Sequence, residues 1–133
     1  MTVFLCIDDN RGMLFNNRRQ SRDSEVINDM LKTASSSVYA HSFSEKYLST
    51  LSSSFTFSDT LLEDKKDFCF IENLDIAPYL SSIDSVILYK WNRDYPFDVT
   101  FDVDLKAEGY RLENKTDFAG SSHDKITKEV WVK

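Results

Sequence analysis

Glycine, proline, cysteine and histidine are scarce in this chain. Its 133 residues include three glycines, two prolines, two cysteines and two histidines. There is no cluster of histidines and no paired-cysteine spacing, so neither a zinc site nor a metal-dependent hydrolase or nuclease is expected. The chain also has no P-loop sequence and no Gly-x-Ser-x-Gly sequence, which removes two common signals of nucleotide and ester hydrolysis.

Basic residues do not outnumber acidic residues in this chain. The formal net charge is −6, and basic residues adjoin one another only at Arg18-Arg19 and Lys65-Lys66. Nucleic acids and anionic membranes attract basic surfaces, so neither is expected as a partner. The N-terminal apolar run is too short for a membrane span and has no basic residues before it, so we expect a cytoplasmic protein.

The remaining composition is typical of a globular protein. Hydrophobic residues make up 41% and aromatic residues 14%, which is enough to build a core at this length, and we predict a single domain spanning residues 1–133. Cys6 and Cys69 each lie in an apolar run. We predict two buried thiols in a reducing compartment, with a disulfide between them as the alternative.

Predicted helices alternate with predicted strands in the first half of the chain, and strands follow one another in the second half. Apolar runs and period-two patterns predict strands at residues 2–7, 37–40, 67–71, 85–91, 99–105, 110–118 and 126–132. Helical spacing and capping residues predict helices at 24–32, 42–51, 56–67 and 75–80, whereas 13–22 is predicted as a loop. This order predicts an α/β fold whose sheet is parallel in its first part and antiparallel at its end.

The order of these features resembles that of dihydrofolate reductases over nearly the whole chain. In the second half the resemblance rests on FCFI, EN, LDIAPYL and SSIDSVILYKW, on residues 98–102 (DVTFD), on 109–112 (GYRL) and on the final SH and KITKEVWV. In the first half it rests on VFLCIDDNRGM, on the acid-bearing helix at residues 23–31 and on VYAHSFSEKYL. The resemblance implies a three-layer, mixed-sheet fold flanked by short helices. It also implies that the shortened region between Leu51 and Phe55 lacks one strand and the loop that holds the adenosine phosphate.

The positions that would hold NADPH in this family are replaced. Glu72 and Asn73 stand at or beside the family's glycine pair. A carboxylate there repels phosphate, and we expect Glu72 to cap the following helix. Ala40, His41 and Ser42 stand in place of the Gly-Arg-x-Thr motif, without its arginine. We therefore expect no cofactor.

The resemblance implies a retained substrate side. The family's helix carboxylate is matched best by Glu25, with Asp23 and Asp29 beside it, and the threonine that supports this carboxylate is matched by Tyr89. A buried acid here would have a raised pKa suited to proton delivery. The alternatives are a solvated helix face or a helix cap for the acids, and a space-filling role for the Tyr89 ring.

Three functions are consistent with this pattern. The first is a binding or interaction module that has lost its NADPH site and retains a small-molecule pocket. The second is a divergent reductase of a pterin-like or related heterocycle, with Glu25 or Asp23 as the acid. The third is a structural homodimer subunit that presents aromatic residues of its final strands (Tyr89, Trp91, Phe101, Trp131), although a core role for most of them is favoured. The sequence leaves monomer and homodimer open.

Overall fold

The central strand of the main sheet is the N-terminal segment Thr2–Ile7. The computed structural model describes residues 1–133. Its strands are β1 Thr2–Ile7, β2 Gly12–Phe15, β3 Arg18–Arg19, β4 Val38–Ala40, β5 Phe55–Phe57, β6 Phe68–Phe70, β7 Ser85–Lys90, β8 Val99–Thr100, β9 Arg111–Phe118 and β10 Ile126–Val132. Its α-helices are α1 Ser24–Thr33 and α2 Glu45–Leu48, and 3₁₀ helices cover Ser42–Ser44 and Ala77–Ser82.

Seven strands form the main sheet in the order β5-β4-β6-β1-β7-β10-β9. The first five of these strands run parallel, and β10 is antiparallel to both β7 and β9. A second antiparallel sheet has the order β3-β2-β8. The predicted α/β fold, parallel first and antiparallel last, is confirmed.

The central strands of the main sheet, β1, β6 and β7, are largely buried on both faces, as their apolar runs require. In β1, Val3, Leu5 and Ile7 face one core, whereas Phe4 faces the other. Helix α1 covers the Phe4 side with Val26, Ile27 and Met30, and Asp23 caps its N-terminus. The opposite core is closed by the β2 hairpin, Leu61-Leu62 and the segment from Phe101 to Tyr110. Because both cores are apolar, polar side chains lie mainly at the ends of the strands.

The predicted loop at residues 13–22 is wrong, because β2 and β3 form a hairpin there. Phe15 pairs with Arg18, and the intervening Asn16 and Asn17 have φ angles of 50° and 58°. Two central residues with positive φ are typical of a type I′ turn, which matches the twist of a hairpin. The Asn16-Asn17 pair is a sequence signal for this turn, but the polar, basic residues around it favoured the prediction of a loop.

The predicted helix at residues 56–67 is also wrong. Residues Phe55–Phe57 form β5 at the edge of the sheet, paired in parallel with β4, and only a short turn follows, with Leu61 and Leu62 buried. The strand β5 therefore begins directly after the shortened region that follows Leu51. Alternating Phe-Thr-Phe carries a strand pattern, but three residues are too few to distinguish it from the start of a helix.

Two other elements differ from the prediction, one in length and one in position and helix type. Of residues 99–105, only Val99–Thr100 pairs as a strand, yet Phe101, Val103 and Leu105 are buried and the aspartates between them are exposed. The helix expected from residue 75 is a 3₁₀ helix over Ala77–Ser82, with Pro78 in its first turn. In residues 101–105, burial therefore alternates with a period of two although this segment does not pair with a neighbouring strand.

Both cysteines are free thiols, so the disulfide alternative is wrong. Cys69 is buried, and burial raises its thiol pKa to about 11, whereas Cys6 is partly exposed. None of the helices has both the length and the apolar character that crossing a membrane requires.

Candidate functional site

The carboxyl ends of the parallel strands meet at one edge of the main sheet. The residues that follow β1, β4 and β6 there include Asp8, His41 and Glu72, and the β2–β3 hairpin lies across them. In open α/β sheets this edge is where ligands bind.

An ion pair closes the junction after β6. The Arg19 Nε and Nη2 atoms donate to the Glu72 carboxylate at 2.9 and 3.0 Å, and the Ser44 hydroxyl donates to Glu72 Oε1 at 2.7 Å. Only 19% of the Arg19 side chain and 9% of the Glu72 side chain are exposed. Burial opposes the charge on Arg19, but the hydrogen bonds and charge of Glu72 outweigh it and raise the arginine pKa.

The expectation that Glu72 caps the following helix is wrong. That helix begins at Ala77, its N-cap residue is Ile76, and the Ala77 N–H is bound by Asp75 Oδ1. A cavity of only about 10 Å³ remains beside the ion pair, lined by Cys6, Gln20, Ile71 and others. The side-chain oxygens of Gln20 and Asn73 are buried without a hydrogen-bond partner in the protein. The junction is thus filled by side chains.

The residues after β4 are used for local structure. The His41 Nδ1 atom accepts from the Phe43 N–H at 3.0 Å, and the Ser42 N–H donates to Asp59 Oδ1 at 2.9 Å. These contacts begin the 3₁₀ helix at Ser42.

A cationic groove lies between the β2–β3 hairpin and α2. This basic groove has a volume of about 540 Å³ and contains four cationic side chains and no carboxylate among its lining residues: Asn17, Arg18, Arg19, Gln20, Ser21, Arg22, Phe43, Lys46, Tyr47 and Thr50. The guanidinium of Arg19 lies 4.5 Å from the centre of the Tyr47 ring, and that of Arg22 lies 5.5 Å from it. Burial and the nearby Cys6 and Glu72 raise the pKa of Tyr47 to about 12, so its phenol stays neutral.

A chain of hydrogen bonds runs from this groove into the protein. The Ser21 hydroxyl is 3.1 Å from His123 Nε2, and His123 Nδ1 is 2.9 Å from Asp23 Oδ2. The Tyr95 hydroxyl donates to Ser21 Oγ at 3.1 Å and lies 2.8 Å from the same His123 nitrogen. The Trp91 ring stacks on the imidazole with a centroid distance of 4.7 Å.

Asp23 is held by many donors. Its two carboxylate oxygens accept from the backbone N–H groups of Glu25, Ser121 and Ser122 at 2.8 to 3.0 Å, as well as from His123. Burial raises its pKa, but these hydrogen bonds outweigh burial and bring the pKa of Asp23 well below its ordinary value. Asp23 is therefore ionised at neutral pH.

Of the predicted substrate-side residues, two are brought together and one is not. The Tyr89 hydroxyl donates to Asp29 Oδ2 at 2.7 Å, and Lys128 Nζ is 2.8 Å from the same oxygen. The Glu25 residue is exposed, and its carboxylate accepts a hydrogen bond only from the Asn28 side chain, at 3.4 Å. Tyr89 is fully buried between Phe4 and Phe118. Its ring fills the core, and the roles assigned to Glu25, Asp23 and Asp29 in substrate binding stay predictions.

Sequence reasoning missed Ser21, Arg22, Lys46 and His123. A usable signal was present in the segment RRQSRD, residues 18–23, which has three cations in an acidic protein. Its meaning depended on the unrecognised hairpin, because only the hairpin turns these residues over the strand ends.

The arrangement of the strands can now be compared with solved structures. Dihydrofolate reductase from Enterococcus faecalis, solved in complex with NADP(H) and RAB-propyl, superposes with a TM-score of 0.71. The superposition covers 98% of this chain and 94% of the reductase, at 6% sequence identity. This chain has the dihydrofolate reductase fold. No protein-family model and no curated protein matches its sequence.

The dihydrofolate reductase-like fold confirms the resemblance inferred from the sequence, and the low identity marks the chain as divergent. A dinucleotide at such a sheet edge needs closely approachable backbone N–H groups to bind its phosphates. In this chain the Glu72 carboxylate and its partner Arg19 occupy the junction after β6. No group of three or more His, Cys, Asp or Glu side chains is placed to hold a metal ion.

Proposed function

We propose that this chain is a small-molecule binding domain that takes an anionic ligand in the basic groove and does not use NADP(H). The observation that supports an anionic ligand is the set of residues that line the groove. Four cationic side chains and no carboxylate line it, although the whole protein carries a net charge of −6. Such local segregation of charge attracts an anion against the field of the whole molecule.

The cations of the groove are not equally available. Arg19 is already paired with Glu72, whereas Arg18, Arg22 and Lys46 have no carboxylate partner within salt-bridge distance. Guanidinium groups bind carboxylate and phosphate through two parallel hydrogen bonds, and Lys adds a point charge. The expected ligand is therefore a compact molecule that carries a carboxylate or phosphate group.

The proposed absence of a nicotinamide cofactor is supported by the same edge of the sheet. A phosphate near Glu72 would meet a carboxylate of like charge, and a repulsion between unit charges a few ångströms apart is worth roughly 1 kcal/mol even in water. Displacing Glu72 would in turn leave Arg19 without its partner. Both costs oppose a dinucleotide at this position.

Isothermal titration tests the proposal with NADPH, inorganic pyrophosphate, citrate and dihydrofolate as probes. We expect heat of binding for pyrophosphate or citrate and none for NADPH. Replacing the three free cations (Arg18→Gln, Arg22→Gln, Lys46→Gln) should reduce anion affinity at least tenfold, roughly 1.4 kcal/mol.

The matched control removes the same charge from three exposed lysines outside the groove: Lys65→Gln, Lys106→Gln and Lys115→Gln. This variant should bind the anions nearly as wild type does. Equal losses in both variants would show a general charge effect and no groove site. Tight NADPH binding would refute the absence of the cofactor, and dihydrofolate binding that Glu25→Ala abolishes would favour a pterin-like ligand instead.

A further inference from the structure

The hydrogen-bond chain from Ser21 through His123 to Asp23 has the order of a nucleophile, a base and an orienting acid. The two steps measure 3.1 Å from Ser21 Oγ to His123 Nε2 and 2.9 Å from His123 Nδ1 to Asp23 Oδ2. Activated serine nucleophiles are recognised by this geometry, independently of sequence order or fold.

The His123 and Asp23 side chains, at the inner end of the hydrogen-bond chain, are buried. Exposure is 3% for the His123 side chain and 0% for that of Asp23. An ionised carboxylate beside Nδ1 favours the tautomer with its proton on that atom, and this leaves Nε2 as an acceptor toward Ser21. The stacked Trp91 ring further restricts rotation of the imidazole. The histidine is thus held in the orientation that a general base needs.

Ser21, at the outer end of the hydrogen-bond chain, lies at the basic groove. Ser21 is partly exposed and lies among the residues that line the groove. The Tyr95 hydroxyl donates to Ser21 Oγ, and in this arrangement the serine proton is the one that faces His123 Nε2. A network that served only to fasten the 120–124 loop would need Asp23, Ser121 and Ser122, and the Tyr95 hydroxyl at 2.8 Å would satisfy His123 Nε2 without Ser21.

We propose that Ser21 is the nucleophile of an esterase centre that hydrolyses small carboxylic esters bearing an anionic group. The anionic group follows from Arg18, Arg22 and Lys46 of the basic groove, so the choice of substrate rests on the proposed function. The nucleophile itself rests on the hydrogen-bond chain alone.

The reaction balances with water as the second reactant. Ser21 Oγ attacks the ester carbonyl while its proton passes to His123 Nε2, and the imidazolium then returns this proton to the leaving alkoxide. Water next gives a proton to His123 and attacks the acyl group on Ser21. The products are an alcohol and a carboxylic acid, and the serine regains its proton from the imidazolium.

An active-site label tests the nucleophile. The full-length protein is treated with an alkyl fluorophosphonate, and the modified residue is located by mass spectrometry. We expect one label at Ser21, lost in Ser21→Ala and slowed at least a hundredfold in His123→Gln, since general-base assistance contributes about 10²- to 10⁴-fold. The matched control is Ser36→Ala, because Ser36 is an exposed serine between α1 and β4, and this variant should label as wild type does.

Hydrolysis of mono-p-nitrophenyl succinate, compared with p-nitrophenyl acetate, tests the substrate class. The anionic ester should have the lower KM, and this preference should disappear in the triple groove variant. Asp23→Asn, a positioning variant, should lower kcat with little change in KM. Circular dichroism and thermal unfolding establish that each variant is folded, and Ser21→Cys, tested with iodoacetamide, replaces Ser21→Ala if that variant does not fold.

Each outcome decides between the proposals. A folded wild-type protein without label at Ser21 and without hydrolysis above that of Ser21→Ala overturns the esterase centre, even if pyrophosphate or citrate binds the groove. Labelling at Ser21 that persists at the wild-type rate in His123→Gln also overturns it. Labelling at Ser21 without preference for the anionic ester supports the centre and counts against the groove as its ligand site.

Discussion

A single residue, Asp23, has three structural tasks. It caps α1 through the Glu25 N–H, it binds two successive N–H groups of the loop before β10, and it orients His123. The loop approaches so closely that Gly120 is required, because a Cβ atom at this position would collide with the Asp23 carboxylate. Only the first task, the cap, was readable from sequence.

The depressed pKa of Asp23 makes stability dependent on pH. A carboxyl group whose folded pKa lies below its unfolded value stabilises the fold above the unfolded pKa, about 3.9, and this contribution is lost as the pH falls below it. Urea unfolding at pH 7 and pH 3 should show the loss. Asp23→Asn should lower the free energy of unfolding by roughly 1 to 3 kcal/mol at pH 7.

The difference between this variant and wild type should shrink at pH 3, where wild-type Asp23 begins to lose its advantage. Asp9→Asn is the matched control, because Asp9 is exposed and its side chain makes no hydrogen bond. A pH-independent difference for Asp23→Asn would contradict the assignment.

At the scale of elements, one ion pair joins three parts of the chain. Arg19 comes from the two-residue strand β3, Glu72 from the turn after β6, and Ser44 from the 3₁₀ helix before α2. A strand of two residues has little pairing of its own. We infer that the hairpin holds its position over the sheet edge through this contact.

Glu72→Gln should destabilise the protein by about 1 to 3 kcal/mol, because it leaves the mostly buried Arg19 without its counter-charge. This is below the value for a fully buried pair, 3 to 5 kcal/mol, since the Arg19 side chain is 19% exposed. Urea unfolding of Glu72→Gln, Arg19→Gln and the double variant forms a mutant cycle. The double variant should lose less than the sum of the single variants, and additive losses would mean that the pair is not coupled.

At the scale of the whole molecule, the aromatic residues considered for a dimer surface lie in the core. Tyr89, Trp91 and Phe101 are at most 6% exposed, and Trp131 is partly buried. The edge strand β9 pairs only with β10 and carries exposed charges from Arg111 to Asp117. Charges on an edge strand oppose pairing with a second sheet.

We therefore expect a monomer in solution. Size-exclusion chromatography with light scattering should give a mass near 15.4 kDa that does not change with protein concentration. A concentration-dependent mass would instead point to the β9 edge, and Lys115→Glu would then be expected to weaken the association.

Much of the fold was predictable because it depends on local patterns. The apolar runs of β1, β6 and β7 and the helical face of Val26, Ile27 and Met30 are set by periodicity, which holds whatever the partner element is. The errors fell on β5 and the β2–β3 hairpin, where two to four residues per strand are too few to carry a period. Those strands exist because neighbouring strands and buried side chains hold them.

By itself the sequence determined the α/β order and the sheet with its antiparallel end, because both follow from patterns of neighbouring residues. Only the tertiary structure decided which distant side chains meet. Arg19 and Glu72 are 53 positions apart, and Asp23 and His123 are 100 apart. Side chains so distant in sequence are brought within 3 Å by strand order and hairpin placement, which no local pattern encodes.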